Sequence, residues 1–285
     1  MTKFAYIADT HLGAEGAGFQ QQQRYPERLP EILAALRRYL ASENDIDFVL
    51  HGGDMIDKTT DDNIRNAAKL FRLPVPVYLA LGNHDLTTPD ALNRWLTLAP
   101  DFFPDGKPES TIVTEDCLIH IVTNHWGDLP YYWKDVQDSQ FSENQMTALE
   151  ANLNQSSELP HLLLTHSPTF GLPLEQTGFA EHFHAPPSVF TQTVSKLAAR
   201  HKQLKCVLGA HNHLNMAIER QGVHFVTVSS LVETPFEIKI FEITPSAITM
   251  ATTSLATTDN LDCQYDFNKT FVQGRGMDRA FSRSL

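Results

Sequence analysis

The chain has 285 residues, with 34 acidic against 22 basic side chains and a formal charge of −12. That length suffices for one large domain or two small ones, and the acidic balance argues against extended nucleic-acid binding, which needs a basic face to neutralise phosphates. No apolar run approaches the roughly 20 residues that span a bilayer. The N-terminus lacks a basic lead and an apolar h-region, and Cys117, Cys206 and Cys263 are scattered without zinc-ligand spacing; the expectation is a cytoplasmic protein with reduced thiols and no membrane partner.

Elements follow in chain order. Lys3–Ala8 reads as a buried strand. Pro26–Leu40 reads as an amphipathic helix, with Leu29, Ile32, Leu33, Leu36 and Leu40 on one stripe and proline in its first turn. A strand at Ile46–Leu50, a helix near Asp62–Phe71, a strand at Val75–Leu81, a helix around Asp90–Leu98 and a strand at Leu118–Thr123 come next. Ser142-Glu143-Asn144-Gln145 is a capping-box start for a helix carrying Met146, Leu149 and Leu153. His161–Thr165 predicts a strand, Pro187–Arg200 a helix and Lys205–Leu208 a strand. From there only strands follow: Asn215–Glu219 and Val223–Ser229 flank a Gln221-Gly222 turn, and Phe236–Ile243 pairs with Ala247–Thr253 around Thr244-Pro245-Ser246. The early alternation predicts parallel strands covered by helices, and the late strands an antiparallel portion. No repeat or linker divides the chain. We expect one domain over residues 1–256 and a polar tail over 257–285, packed on the domain or on a second subunit through Arg275, Arg279 and Arg283, or solvated.

The polar blocks fall at strand ends. Asp9-Thr10-His11 follows the first strand, Gly52-Gly53-Asp54-Met55-Ile56-Asp57 the second and Gly82-Asn83-His84-Asp85 the third. Thr165-His166-Ser167 ends a later strand, and Gly209-Ala210-His211-Asn212-His213 follows another. Strand C-termini of a parallel sheet share one edge, so these blocks converge on one crevice. A single histidine at a strand end is usually structural; the ordered set is a different matter.

Taken together, D-x-H, G-D-x-x-D, G-N-H-D, a lone His and a final H-x-H resemble the calcineurin-like metallophosphoesterase superfamily over about three-quarters of the chain. Ala210 stands where that family usually has glycine, a small-for-small exchange. The resemblance implies a four-layer αββα sandwich, with two mixed sheets face to face and a binuclear metal site at the strand C-terminal edge. It assigns Asp9, His11 and His213 to one cation and Asn83, His166 and His211 to the other, with Asp54 bridging. His84 is expected to stabilise or protonate the leaving oxygen, Asp85 to orient its ring and Asp57 to support from behind.

Two divalent cations could clamp the attacking and leaving oxygens of an in-line displacement and lower the pKa of a bridging water. An N/O donor set without thiolate suits manganese, iron or zinc and not calcium. Two dications, two aspartates and a bridging hydroxide leave one positive charge, which can hold an anion inside an acidic protein.

The expected activity is metal-dependent hydrolysis of a small phosphate ester. The Asp-x-His start, the Gly-Asn-His-Asp block and the single-domain length look most like the cyclic-nucleotide and glycerophosphodiester phosphodiesterases. A phosphomonoesterase or nucleotide pyrophosphatase is the main rival; a DNA exonuclease would want a basic groove and a capping domain, and a non-catalytic scaffold would have lost ligands. The aromatic loop His125–Trp133 could stack on a nucleobase, although a hydrophobic cluster is the better reading. Glu181-His182-Phe183-His184 either lines the cleft or lies on the surface, strand parity brings Ser229, Ser230 and Glu233 to the site edge, and a homo-oligomer is left open.

Overall fold

The computed structural model describes residues 1–15, 21–155, 158–182 and 185–285. Its strands in chain order are β1 (Thr2–Ile7), β2 (Phe48–His51), β3 (Val77–Leu79), β4 (Ser110–Val113), β5 (Leu118–Ile121), β6 (His125–Trp126), β7 (Ser139–Gln140), β8 (His161–Leu164), β9 (Leu204–Gly209), β10 (Met216–Arg220), β11 (Val223–Thr227), β12 (Glu237–Thr244), β13 (Ala247–Ser254) and β14 (Ala280–Ser284). The helices that cover them are α1 (Leu29–Glu43), α2 (Asp61–Leu70), α3 (Ala91–Leu98), α4 (Glu143–Asn154), the short α5 (Leu174–Thr177), α6 (Ser188–Arg200), and the short α7 (Leu255–Thr258) and α8 (Gly276–Arg279).

Two six-stranded mixed sheets result, ordered β14-β13-β12-β1-β2-β3 and β10-β11-β9-β8-β5-β4. In the first, β1, β2 and β3 run parallel and β12, β13 and β14 are antiparallel additions. In the second, β11, β9, β8 and β5 run parallel, edged by antiparallel β10 and β4.

Why two faces are buried is visible in β1. Ala5 and Ile7 pack with Leu29, Ile32, Leu33 and Leu36 of α1, whereas Phe4, Tyr6 and Ala8 pack with Leu162, Leu164 and Leu208 of the opposite sheet. A third layer joins Leu163, Val207 and Phe225 to Leu149 of α4 and Val194 and Leu197 of α6. Helices, sheet, sheet, helices is the four-layer order expected, and strands buried on both faces read as near-continuous apolar runs. The two sheets are also pinned by a hydrogen bond, since the buried Tyr6 hydroxyl donates to the Gly209 carbonyl at 2.6 Å.

Residues after Thr257 are built into this frame at several points. Asp278 accepts the Ala217 N–H at 2.8 Å, Arg279 pairs with buried Glu237 at 2.6 Å, and β14 pairs along β13. No helix among the described residues is long and apolar enough to cross a membrane.

Candidate metal centre

The five blocks leave the C-terminal ends of β1, β2, β3, β8 and β9 and are laced together by backbone bonds. Asp9 N–H donates to the Gly53 carbonyl at 2.9 Å, His11 to Asp54 at 3.0 Å, and Ala210 to His166 at 2.7 Å. Asp9, His11, Asp54, His211 and His213 all take left-handed backbone, with φ of 54°, 41°, 52°, 70° and 57°. Non-glycine residues rarely adopt that region, and clusters of them mark functional sites. Glycine makes the close approaches: a Cβ on Gly82 would run into Asp54 Oδ1, and one on Gly53 into His166 Nδ1.

Among the described residues, Asp9, His11 and His213 form one group of donors and Asp54, His166 and His211 a second, with His11, Asp57 and His84 as a third, each offering atoms within 4.8 Å of one another. Asn83 joins the second group through Oδ1, 3.2 Å from His166 Nε2 and 3.0 Å from His211 Nδ1. Asp54 faces both: its Oδ2 is 3.3 Å from His166 Nε2 and 3.9 Å from His11 Nε2, while Oδ1 accepts the His84 N–H at 2.8 Å.

The hydrogen bonds of the histidine rings decide which nitrogens can face a cation. His166 Nδ1 donates to the Gly52 carbonyl at 2.8 Å, and His213 Nδ1 to Glu233 Oε1 at 2.6 Å. With the proton on Nδ1, each Nε2 presents a lone pair. His213 Nε2 lies 3.1 Å from His11 Nε2, and His166 Nε2 lies 3.2 Å from His211 Nδ1, next to carboxylate and amide oxygens. Fully buried Asp9 leaves Oδ1 without a hydrogen-bond partner among the described residues. Acceptors aimed at acceptors in a buried place need positive charge between them, which divalent cations supply. Without such ions protons serve instead. Burial alone would depress His166 and His213, but Asp54 for the first and Asp9 and Glu233 for the second raise both to about 9. Burial raises Asp9 to about 6.

The geometry bears directly on a comparison with known proteins: the model of the calcineurin-like phosphoesterase family matches residues 2–215. The chain belongs to that family. This calcineurin-like phosphoesterase is therefore a metal-dependent phosphoester hydrolase, and its matched span runs from β1 past His213. Solved structures with the same fold include a dimetal phosphatase from Danio rerio (16% identity, 89% of this chain and 96% of that one, TM-score 0.67). Another is GAP50, described as the anchor in the inner membrane complex of Plasmodium (11% identity, 89% and 84%, TM-score 0.58). A purple acid phosphatase from yellow lupin matches at 12% identity and a TM-score of 0.54, with 99% of this chain against 53% of that one.

Around the donors of the phosphoesterase, some placements depart from expectation. The carboxylate of Asp85 does not turn to the ring of His84; it is fully buried beneath the loop, where its oxygens accept the N–H groups of Ile56 at 3.1 Å and Gly82 at 2.9 Å. Burial and the charge of Asp54 push it up to about 7. His84 Nδ1 instead lies 2.9 Å from the Asp57 carbonyl and 3.6 Å from its Oδ1, so Asp57 is the neighbour that orients the ring. Asp57 also reaches His11 Nδ1 at 3.5 Å.

Four contributors carried little signal. Glu233, marked only by strand parity, is 1% exposed and holds His213 with one oxygen while the other accepts Gln21 N–H at 2.9 Å and Gln22 N–H at 2.7 Å. Ser230 donates to the Asp9 carbonyl at 2.7 Å. Both indoles of the aromatic loop are buried against site histidines, Trp126 at 5.4 Å from the His211 ring and Trp133 at 4.9 Å from His84. Of the 181–184 cluster, Phe183 and His184 lie outside the described residues, and His182 Nδ1 is 2.7 Å from the Leu172 carbonyl.

Two cavities open on the centre. An inner one of about 230 Å³ is lined by Asp54, Asn83, His211, Gln21 and Gln137, an outer one of about 560 Å³ by Lys58, Tyr132 and Trp133, and His11, His84 and His213 border both. A larger cavity, about 880 Å³, lies near Glu109, His120 and Gln145 and touches none of the donors, so size alone does not mark the site.

Proposed function

We propose that this phosphoesterase is a cytoplasmic phosphodiesterase acting on a small diester, with Asp9, His11 and His213 holding one divalent cation, Asn83, His166 and His211 the other, and Asp54 shared between them. Manganese, iron and zinc all suit the nitrogen and oxygen donors. Bound there, the pair would supply Lewis-acid stabilisation of charge on the phosphoryl oxygens and acidify a water that attacks phosphorus.

The chain's own residues do the rest. Asp57 sets the orientation of His84, which borders both cavities, where it can donate a hydrogen bond or a proton to the departing ester oxygen. Glu233 fixes the tautomer and direction of His213. The indole of Trp133 packs along His84 and limits its rotation.

The observation that supports the diester reading is the pair of cavities bordered in common by His11, His84 and His213, which together offer space for two organic groups beside the donors. A monoester would need only one of them. The test is a panel assay with manganese comparing a bis-aryl phosphate, an aryl monophosphate, cyclic AMP, a glycerophosphodiester and single-stranded DNA. Higher kcat/KM for diesters than for the aryl monophosphate is expected; preference for the monoester would overturn the reading.

A further inference from the structure

Gln22 is 1% exposed, and its carboxamide is engaged at both ends. The amide nitrogen donates to the Asp266 carbonyl at 2.9 Å and to the Lys269 carbonyl at 3.1 Å, while its oxygen accepts the Asp266 N–H at 2.9 Å. The backbone N–H of Gln22 donates to Glu233 Oε2 at 2.7 Å. A buried carboxamide needs partners of this kind, because it carries two donor hydrogens and an acceptor oxygen that water no longer serves.

The grip comes from a part of the chain beyond the family match, which ends at residue 215. Phe267–Gln273 form a 3₁₀ segment started by Asp266, whose carboxylate accepts the Asn268 N–H at 2.9 Å. That segment is docked without the help of Gln22. Val272 is buried with Leu172, Leu214 and Met216, and its carbonyl accepts the Asn215 N–H at 2.9 Å. Gln273 Nε2 donates to the Thr234 carbonyl at 3.2 Å. The segment is thus a fixed anchor, and Gln22 is the hook that ties its own loop to it.

The residue this hook holds in place is its neighbour. Gln21 N–H donates to the same Glu233 oxygen at 2.9 Å, and Gln21 lines the inner cavity. The rest of that lining consists of donors of the centre, His84 and Gln137. The Gln21 carboxamide makes no hydrogen bond to another described residue, so its donors and its acceptor are open to a substrate in the cavity. Two consecutive peptide units held on one carboxylate reduce the freedom that Gln21 would lose on binding.

We propose that Gln21 binds substrate in the inner cavity and that Gln22 is the positioning residue that aims it, with Asp266–Gln273 as the anchor. The inference rests on the cations being held by the donors of this centre, and it applies to a monoester as to a diester. Gln21 touches a part of the substrate that does not react, so its contact is the same before and during the chemical step and acts on KM.

The test is a double-mutant cycle on the manganese-loaded enzyme, with a bis-aryl phosphate and an aryl monophosphate as substrates. Gln21→Ala removes the contact. Gln22→Met keeps a side chain of similar length and loses the three carboxamide bonds. Each single variant should raise KM about three- to tenfold, the worth of one hydrogen bond, with kcat changed less than about twofold. The double variant should be no worse than Gln21→Ala alone, because Gln22 acts through Gln21. Metal-free protein gives a second readout: in Gln22→Met the amides of residues 21 and 22 should exchange hydrogen faster, while β1 and β12 keep wild-type protection. An unchanged KM in Gln21→Ala, KM effects that multiply in the double variant, or unchanged exchange in Gln22→Met would each overturn the proposal alone. No hydrolysis of either ester by the manganese-loaded wild type would overturn the metal assignment and the proposal with it.

Discussion

Removing the carboxylate of Glu233 should weaken one metal site and spare the other. In Glu233→Ala three donors lose their acceptor: His213 Nδ1 and the N–H groups of Gln21 and Gln22. Each buried donor left unpaired costs about 1–3 kcal/mol, less where water can replace the carboxylate. For His213 the loss is of tautomer and direction, and outer partners of this kind are worth about 10- to 100-fold in metal affinity, or about 1.4–2.7 kcal/mol. Glu233→Gln keeps the volume and one acceptor oxygen, but its NH₂ must then face either His213 or the two amides, so a loss nearer tenfold is expected. Titration calorimetry of metal-free protein with Mn²⁺ resolves the two affinities, and circular dichroism checks the fold. The step assigned to Asp9, His11 and His213 should weaken while the other changes little. Two wild-type affinities in a folded Glu233→Ala protein would refute the reasoning.

Other perturbations have distinct signatures. His84→Ala should cut turnover on a diester about 10²- to 10⁴-fold while metal content measured by mass spectrometry stays at wild type; near-normal turnover removes His84 from the chemistry. Gly82→Ala pushes a methyl into Asp54, and overpacking of about 1–3 kcal/mol should appear as about tenfold weaker metal binding in calorimetry. Burial holds the Lys239 ammonium down at about 7, against about 10.4 in an unfolded chain. Between those values the unfolded state binds the extra proton, so this group destabilises most at and below neutral pH, and the cost is relieved as pH rises towards 10. Lys239→Met should therefore stabilise in urea titrations at pH 7 by about 1–3 kcal/mol, after losing the bonds to Thr252 and the Asp278 carbonyl, and the gain should shrink at pH 10. A gain constant across pH would show that Lys239 is charged in the fold.

How much was legible follows from where each signal is stored. Strands buried on both faces announce themselves, as β1 does, and a polar block after each such strand locates a ligand edge without any contact being known. Local adjacency misled at Asp85. His84–Leu86 is a 3₁₀ turn, in which successive side chains diverge, so the residue next to His84 points inward while Asp57, far back in the chain, meets the ring. Glu233 follows the last histidine by two strands, and only parity pointed to it. The strand Ala280–Ser284 alternates half-buried and exposed residues with one aromatic, too weak to read, and exists because β13 offers it an edge.

The left-handed backbone at five donors raises the question of what keeps them there. Each such residue costs of order 1–3 kcal/mol, and cations could in principle supply all of it. The bonds from Asp9 to Gly53, His11 to Asp54, Leu12 to Met55 and Ala210 to His166 are backbone to backbone and need no ion. Beneath them lie apolar layers on both faces of each sheet. The centre should thus be preformed, with each cation adding only its binding linkage, about 2.7 kcal/mol at a hundredfold excess over Kd. Chelation with EDTA should abolish hydrolysis yet leave a cooperative melting transition and the near-ultraviolet circular dichroism of a packed core, with activity returning on adding Mn²⁺. Loss of the near-ultraviolet signal on chelation would mean that the ions, and not the strand-end lacing, hold the strained residues in place.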